Sequence, residues 1–204
     1  MPLMYERVRE RIQDGDFLLF RGDRCFSRVI QVWTRSVYSH VGVALWLEAG
    51  GVRRLCCIEA LEGRGVQILP MSRVLARDGA VDWFSVVAAP EGRVLDRGKL
   101  VSYALSAWGS RYASPWQFIR SFSWLTRRVL NWLGRPMDTD PDRFHCVEMI
   151  MRAVRHAGWE DSDPRDPAEM SPGDAALLPC LQRRGTLVTR ATAKAAKRQE
   201  VSQV

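Results

Sequence analysis

Apolar and polar residues in the first half of the chain form short blocks that are typical of β-strands. "FLLF" (17–20) indicates a buried strand. "HVGVALWL" (40–47) and "VRRLCCIEA" (52–60) predict a hairpin, because the glycine-bearing loop "EAGG" separates them. "GVQILP" (65–70) and "VDWFSVVA" (81–88) predict two further strands. The pattern therefore favours a sheet of mainly antiparallel strands in this half.

Other segments have apolar residues at helical spacing. This spacing predicts short helices over residues 5–12 and 26–33, and a longer helix after Pro90 that closes at Gly109. The apolar face of this longer helix comprises Val94, Val101, Leu105 and Trp108.

The second half of the chain is mainly helical in its pattern. Residues 115–133 predict a helix rich in tryptophan and arginine, and residues 146–158 predict an amphipathic helix. The apolar stripe of the latter comprises Val147, Ile150, Met151 and Val154. Strands grouped before helices predict an α+β fold.

The positive charge of the chain is concentrated at its end. The net charge is +7, of which +5 is carried by residues 183–204, so residues 1–182 are close to neutral. We therefore predict one domain over 1–182 and a basic, disordered tail over 183–204. A near-neutral body argues against a specific nucleic-acid-binding surface on the fold itself.

The start of the chain and its cysteines indicate a cellular compartment. The opening residues are polar and charged, unlike a secretion signal, and no apolar run is long enough to span a membrane. The five cysteines are odd in number and lack the paired C-x-x-C spacing of a zinc site. We expect a reduced, cytoplasmic protein without a metal ion or other cofactor.

The hairpin pattern brings a histidine and a glutamate together. If Ala49 and Gly50 form the two-residue loop, His40 lies directly opposite Glu59 on the face away from the apolar side chains. Directly opposed side chains lie about 4.5–5.5 Å apart at Cβ, so the carboxylate can accept a hydrogen bond from one imidazole nitrogen. The other nitrogen is then available as a base. A cross-strand charge pair without catalytic function explains the same register.

Cys146 occupies a position that suits a nucleophile. It lies in the opening turn of the predicted helix 146–158, where unpaired N–H groups and the helix dipole favour an anion. Neighbouring His145 is a poor base for it, because consecutive helix residues point in different directions. His156 lies roughly 15 Å further along the helix. Elimination leaves His40 as the candidate base, although an inert, packed cysteine fits the same pattern.

Five segments, in this order, resemble a known family. They are "GDFLLFRG" (15–22), "IQVWTRSVYSHVGVAL" (30–45), "IEA" (58–60), "GSRY" (109–112) and "HCVEMI" (145–150). Together they resemble the permuted papain-like amidases, the YiiX/YaeF-like branch of the NlpC superfamily of cysteine hydrolases. The resemblance covers roughly residues 14–178. It implies a circularly permuted papain-like α+β fold, with an antiparallel sheet packed against helices and the nucleophile at a helix N-terminus.

The resemblance also implies roles for individual residues. Cys146 corresponds to the nucleophile, His40 to the general base, and Glu59 to the group that orients the imidazole. Candidate oxyanion or substrate-binding positions are Tyr38, Ser39, Tyr112 and Val147. The chain departs from the family at two of its motifs. Val147 stands where serine often follows the nucleophile, and Ala113 replaces the aspartate after Tyr112.

These features predict a hydrolase that cleaves an amide bond, of peptide or isopeptide type, through a thioester acyl-enzyme. Two alternatives stay open: a thiol-dependent lipid or ester acyl hydrolase or acyltransferase, and a ligand-binding module without turnover. The segment "WQFIRSFSWLTRRVLNWLGR" (116–135) bears on the first alternative. Its four arginines, three tryptophans and lack of acidic residues suit a helix on an anionic membrane surface, although a helix packed over the core fits as well.

Overall fold

The computed structural model describes residues 2–22, 28, 31–32, 34–112, 143–159 and 166–193. The predicted helix 115–133 and the segment 116–135 lie outside these residues, as does most of the predicted helix 26–33.

Most of the described strands belong to one sheet. The strands are β1 (Pro2–Met4), β2 (Phe17–Phe20), β3 (His40–Ala49), β4 (Val52–Leu61), β5 (Gly65–Pro70), β6 (Ala80–Val86), β7 (Arg111–Tyr112), β8 (Arg143–Phe144) and β9 (Leu181–Val188). Among the described residues, seven of them form a sheet in the order β1-β9-β6-β2-β3-β4-β5. Neighbours are antiparallel except β1 and β9, while β7 and β8 form a separate parallel pair.

Helices cover both faces of this sheet. They are α1 (Tyr5–Val8), α2 (Met71–Asp78), α3 (Arg97–Ser106), α4 (Cys146–His156) and α5 (Pro172–Ala176), with 3-10 turns at Arg9–Arg11 and Pro167–Glu169. Because side chains alternate along a strand, Phe17 and Leu19 pack with α3 and α4, whereas Leu18 and Phe20 pack with α1 and α2. The arrangement confirms an α+β fold.

The register of the β3–β4 hairpin differs from the prediction. The loop residues are Gly50 and Gly51 rather than Ala49 and Gly50, so Gly42, not His40, lies opposite Glu59. Both loop glycines have positive φ, +58° and +75°, which a tight two-residue hairpin turn requires and which alanine adopts only with strain. The error is two residues, and it therefore leaves every side chain on its predicted face.

The end of the described chain is also more ordered than predicted. Residues 183–188, assigned to the disordered tail, form most of β9 and pair with both β6 and β1. Their arginines are exposed but have partners in the fold: Arg183 donates to both oxygens of the buried Asp82, and Arg184 donates to Ser85. The tail prediction is therefore wrong for these residues, because buried acceptors in β6 take up their charge and donors.

Two helices differ from their sequence patterns. The helix expected to close at Gly109 spans Arg97–Ser106, because Asp96 caps its start by accepting a hydrogen bond from the Lys99 N–H. Val94 and Trp108, expected on its apolar face, are exposed outside it. The sequence pattern does not predict helix α2, which supplies part of the candidate active site.

Candidate active site

Helix α4 starts at Cys146 because His145 caps it. The His145 Nδ1 accepts a hydrogen bond from the Glu148 N–H at 3.3 Å, and its Nε2 donates to the Ala168 carbonyl at 3.0 Å. Burial, together with the positive charge of Arg152, lowers the pKa of His145 to about 4. His145 is therefore a neutral cap with both ring nitrogens engaged, which agrees with its rejection as a base.

The Cys146 thiol interacts with the His40 imidazole, because helix α4, which starts at Cys146, packs against β3, which starts at His40. Cys146 is buried, with 2% of its surface exposed, whereas the His40 side chain is 14% exposed. Because His40 is the first residue of β3, its ring lies at the end of the sheet. At that position the ring can contact a group from α4 on one side and a residue of a neighbouring strand on the other. The structure thus brings together two of the residues singled out in the sequence.

Glu59 completes the same cluster. Its Oε2 accepts a hydrogen bond from His40 Nε2 at 2.9 Å. Glu59 is opposite Gly42 in the register, so its side chain reaches His40 diagonally. The absence of a side chain at Gly42 leaves room for this path, since an added Cβ would lie 3.3 Å from Glu59 Cβ. The expected His40–Glu59 contact is present despite the shifted register.

Glu59 has two more partners that sequence reasoning missed. Arg77 on α2 donates to Oε1 at 2.6 Å and to Oε2 at 2.9 Å, and Gln67 on β5 donates to Oε1 at 3.3 Å. The Glu59 side chain is fully buried. A buried carboxylate needs a compensating cation, so the pattern itself could have prompted a search for an arginine. Nothing in the sequence, however, shows which arginine reaches it.

The contacts shift the titration of both members of the pair. Burial alone would raise the pKa of Glu59, but hydrogen bonds from His40 and Arg77 outweigh it and lower that pKa to about 2. Burial alone would lower the pKa of His40, but the charge of Cys146 and hydrogen bonds with Cys146 and Glu59 raise it to about 10. This arrangement suits an imidazolium between a thiolate and a carboxylate.

The four candidate oxyanion or substrate-binding residues occupy different environments. The Tyr38 hydroxyl donates to Asp82 Oδ2 at 2.8 Å, and the Ser39 hydroxyl donates to the Phe20 carbonyl at 3.4 Å. The Val147 side chain is fully buried in the core between sheet and helices. These three are thus engaged in packing or in hydrogen bonds with other parts of the fold.

Tyr112 is related to the cysteine more directly. It pairs with Phe144 in the β7–β8 ladder, two residues before Cys146. Burial and the charge of Cys146 raise the pKa of Tyr112 well above its ordinary value. The phenol therefore stays protonated and has a proton to donate. The segment is held in place by β5, because the Ser110 carbonyl accepts from the Val66 N–H at 2.9 Å.

The described part of the chain contains neither a candidate metal cluster nor a candidate membrane-spanning helix. No three His, Cys, Asp or Glu side chains come together there in a way that could hold a metal ion. Nor does any helix there reach the length and apolar character that crossing a bilayer requires.

Comparison with known proteins finds likeness in structure. No family model matches the chain, and no curated protein matches it. The crystal structure of the metalloprotein yiiX from Escherichia coli O157:H7 is similar, with 21% identity and a TM-score of 0.49. The likeness covers 89% of this chain and 91% of that one. At this degree it supports no conclusion about activity. The neighbour belongs to the YiiX/YaeF-like group that the sequence motifs resemble.

Proposed function

We propose that this chain is a cysteine hydrolase that cleaves an amide bond, of peptide or isopeptide type, on a permuted papain-like fold. The observation that carries the proposal is the 2.9 Å hydrogen bond between His40 and Glu59, together with the interaction of the Cys146 thiol with the same imidazole. A nucleophile, a base in contact with it and a group that orients the base are the parts that covalent acyl transfer requires.

The reaction follows from these contacts. The Cys146 thiolate attacks the substrate carbonyl carbon; a C–S bond forms and the carbonyl electron pair moves to oxygen. The backbone N–H of Cys146, at the start of α4, is suited to stabilise this oxyanion, and Tyr112 is our candidate for a second donor. The C–N bond then breaks as His40 gives its proton to the departing amine, which leaves a thioester on Cys146.

Water completes the cycle. His40, now neutral, removes a proton from the water that attacks the thioester carbonyl. The C–S bond breaks, the carboxylic acid product leaves, and the thiolate–imidazolium pair is restored. Throughout the cycle Glu59 keeps the Nε2–H of His40 directed toward itself, so the remaining ring nitrogen, Nδ1, exchanges protons at the reacting centre.

A substrate panel with a cysteine variant tests the proposal. Peptide, isopeptide and phospholipid substrates are incubated with the protein, and products are identified by mass spectrometry. We expect amide cleavage that Cys146→Ala abolishes and Cys56→Ala retains, since Cys56 lies in the core on β4. Full cleavage by Cys146→Ala would rule out the mechanism. Release of fatty acid alone would instead favour the lipid or ester acyl hydrolase.

A further inference from the structure

The carboxylate of Glu59 accepts hydrogen bonds from three side chains. Its two oxygens accept hydrogen bonds from His40, from Gln67 and twice from Arg77, and the side chain is fully buried. His40 alone is enough to explain a carboxylate that orients an imidazole. The bidentate contact with Arg77 therefore calls for a separate explanation.

The guanidinium of Arg77 fixes the carboxylate in place. Two parallel N–H···O bonds, 2.6 Å to Oε1 and 2.9 Å to Oε2, align the guanidinium and carboxylate planes. Arg77 is held from its other side by Asp78, which pairs with it at 2.6 Å. Arg77 lies on α2. This helix packs against the sheet through the buried residues Met71, Val74 and Leu75. A rigid element thus sets the direction in which Oε2 faces His40.

The arginine also matters for charge during turnover. In the proposed reaction His40 alternates between imidazolium and neutral imidazole. A fully buried carboxylate paired only with His40 would lose its counterion each time the imidazole became neutral, and an unpaired buried charge is strongly disfavoured. The guanidinium of Arg77 is always charged, so Glu59 keeps a counterion when His40 is neutral. Glu59 can then stay ionised through both halves of the cycle and keep hold of the same ring nitrogen.

We propose that Arg77 is a positioning residue that acts through Glu59: it fixes the carboxylate that holds the His40 imidazole toward Cys146. This inference rests on the proposed function. It adds a residue outside the Cys–His–Glu series, carried by a helix on the sheet face opposite to α4. Its effect reaches the sulfur only through two intervening side chains.

A double-mutant cycle on thiol reactivity tests this route. The rate of Cys146 alkylation by iodoacetamide is measured against pH by mass spectrometry, for wild type, Arg77→Gln, Glu59→Gln and the double variant. Arg73→Gln is the matched control, because Arg73 is exposed on the same helix and the charge change is the same. No substrate is required, and since Cys146 is buried, the rate of each variant is compared with that of wild type rather than with that of a free thiol.

We expect Arg77→Gln to slow the alkylation of Cys146 at neutral pH, because a carboxylate that is no longer held in place orients the His40 imidazole less well. Arg77→Lys, which keeps the charge but not the bidentate geometry, should recover part of the loss. In the Glu59→Gln background, Arg77→Gln should have no further effect, because Arg77 then has no carboxylate to position.

The outcomes separate this inference from the proposed function. If wild-type Cys146 is alkylated no faster at neutral pH than the other buried thiols, the proposed function fails, and the positioning role fails with it. If it is alkylated faster but Arg77→Gln matches wild type, or if the two substitutions act additively, only the positioning role is overturned. The double variant guards against misfolding of the single one, because it removes both members of the buried ion pair together.

Discussion

Glu59 contacts His40 although the two residues are not paired in the sheet. The Oε2 of Glu59 lies 2.9 Å from Nε2 of His40, while the strand register places Glu59 opposite Gly42. The carboxylate therefore extends diagonally along the strand, across a position that has no side chain. The contact depends on this glycine as much as on the two residues that make it.

Gly42→Ala should accordingly disrupt the cluster. A Cβ at this position would lie 2.6 Å from Cys57 Sγ, 3.0 Å from the Ile58 carbonyl oxygen and 3.3 Å from Glu59 Cβ, so the strands must separate or Glu59 must move. We expect slower alkylation of Cys146 and a loss in the free energy of unfolding of about 1–3 kcal/mol, as is usual for overpacking. Gly98→Ala, on an exposed helix position, is the control. Unchanged reactivity in Gly42→Ala would show that the diagonal path is not needed.

The His40–Glu59 contact shows how much of the site the sequence could predict. Alternation along β3 and β4 predicts the correct faces; the loop lies one residue further along the chain than predicted, which shifts the strand pairing by two residues and preserves the faces. Cys146 at a helix start was also predictable, because the apolar stripe of α4 is regular. The catalytic roles of these residues stay predictions.

Other parts required the folded chain. Arg77 is separated from Glu59 by 18 residues, and α2 was not recognised as a helix. The sequence does not predict strand β9, because Arg183 and Arg184 are typical of a charged tail. Their partners, Asp82 and Ser85, are distant in the sequence and become neighbours only in the folded chain. In both cases the contacts of the arginine depend on a partner that is distant in the sequence, and the local pattern does not identify that partner.

The titration of His40 should depend on its two neighbours. The pKa of His40 is raised to about 10 against the effect of burial, and the negative charges of Cys146 and Glu59 are the causes. Cys146→Ala and Glu59→Gln should therefore each lower the His40 pKa. NMR titration of the His40 imidazole nitrogens measures this pKa. A His40 pKa that neither substitution changes would contradict the proposed ion pair.

His145 should make stability depend on pH in the acid range. Its folded-state pKa is about 4, lowered from 6.5, so below pH 6.5 the unfolded chain binds a proton that the folded chain does not. Its contribution is therefore complete above pH 6.5 and is lost as pH falls toward 4, by about 3 kcal/mol in total.

A non-titrating cap isolates this effect from the other groups. Asparagine is a strong N-cap residue without a proton to gain in this range. Denaturant titrations of wild type and His145→Asn between pH 4 and 7 should thus show a shallower pH dependence for the variant. Parallel curves for the two proteins would mean that His145 is not held neutral in the fold.

Tyr38 and Tyr112, both candidate oxyanion or substrate-binding residues, should differ in what their substitution changes. Tyr38 should affect mainly stability. Tyr38 donates to the fully buried Asp82, whose pKa is lowered to about 2 by hydrogen bonds that outweigh burial, and whose other donors include Arg21 and Arg183. Tyr38→Phe removes one of these donors, so we expect a loss of about 1–2 kcal/mol in the free energy of unfolding.

Tyr112→Phe should affect chemistry instead. If the phenol donates to the oxyanion, its loss lowers the acylation rate by roughly 10²–10³. The burst of p-nitrophenol from p-nitrophenyl acetate measures acylation, and denaturant melts measure stability, for both variants side by side. We expect the larger kinetic loss in Tyr112→Phe and the larger stability loss in Tyr38→Phe. The reverse pattern would assign the second oxyanion donor to Tyr38, and equal acylation rates in both variants and wild type would remove tyrosine from that role.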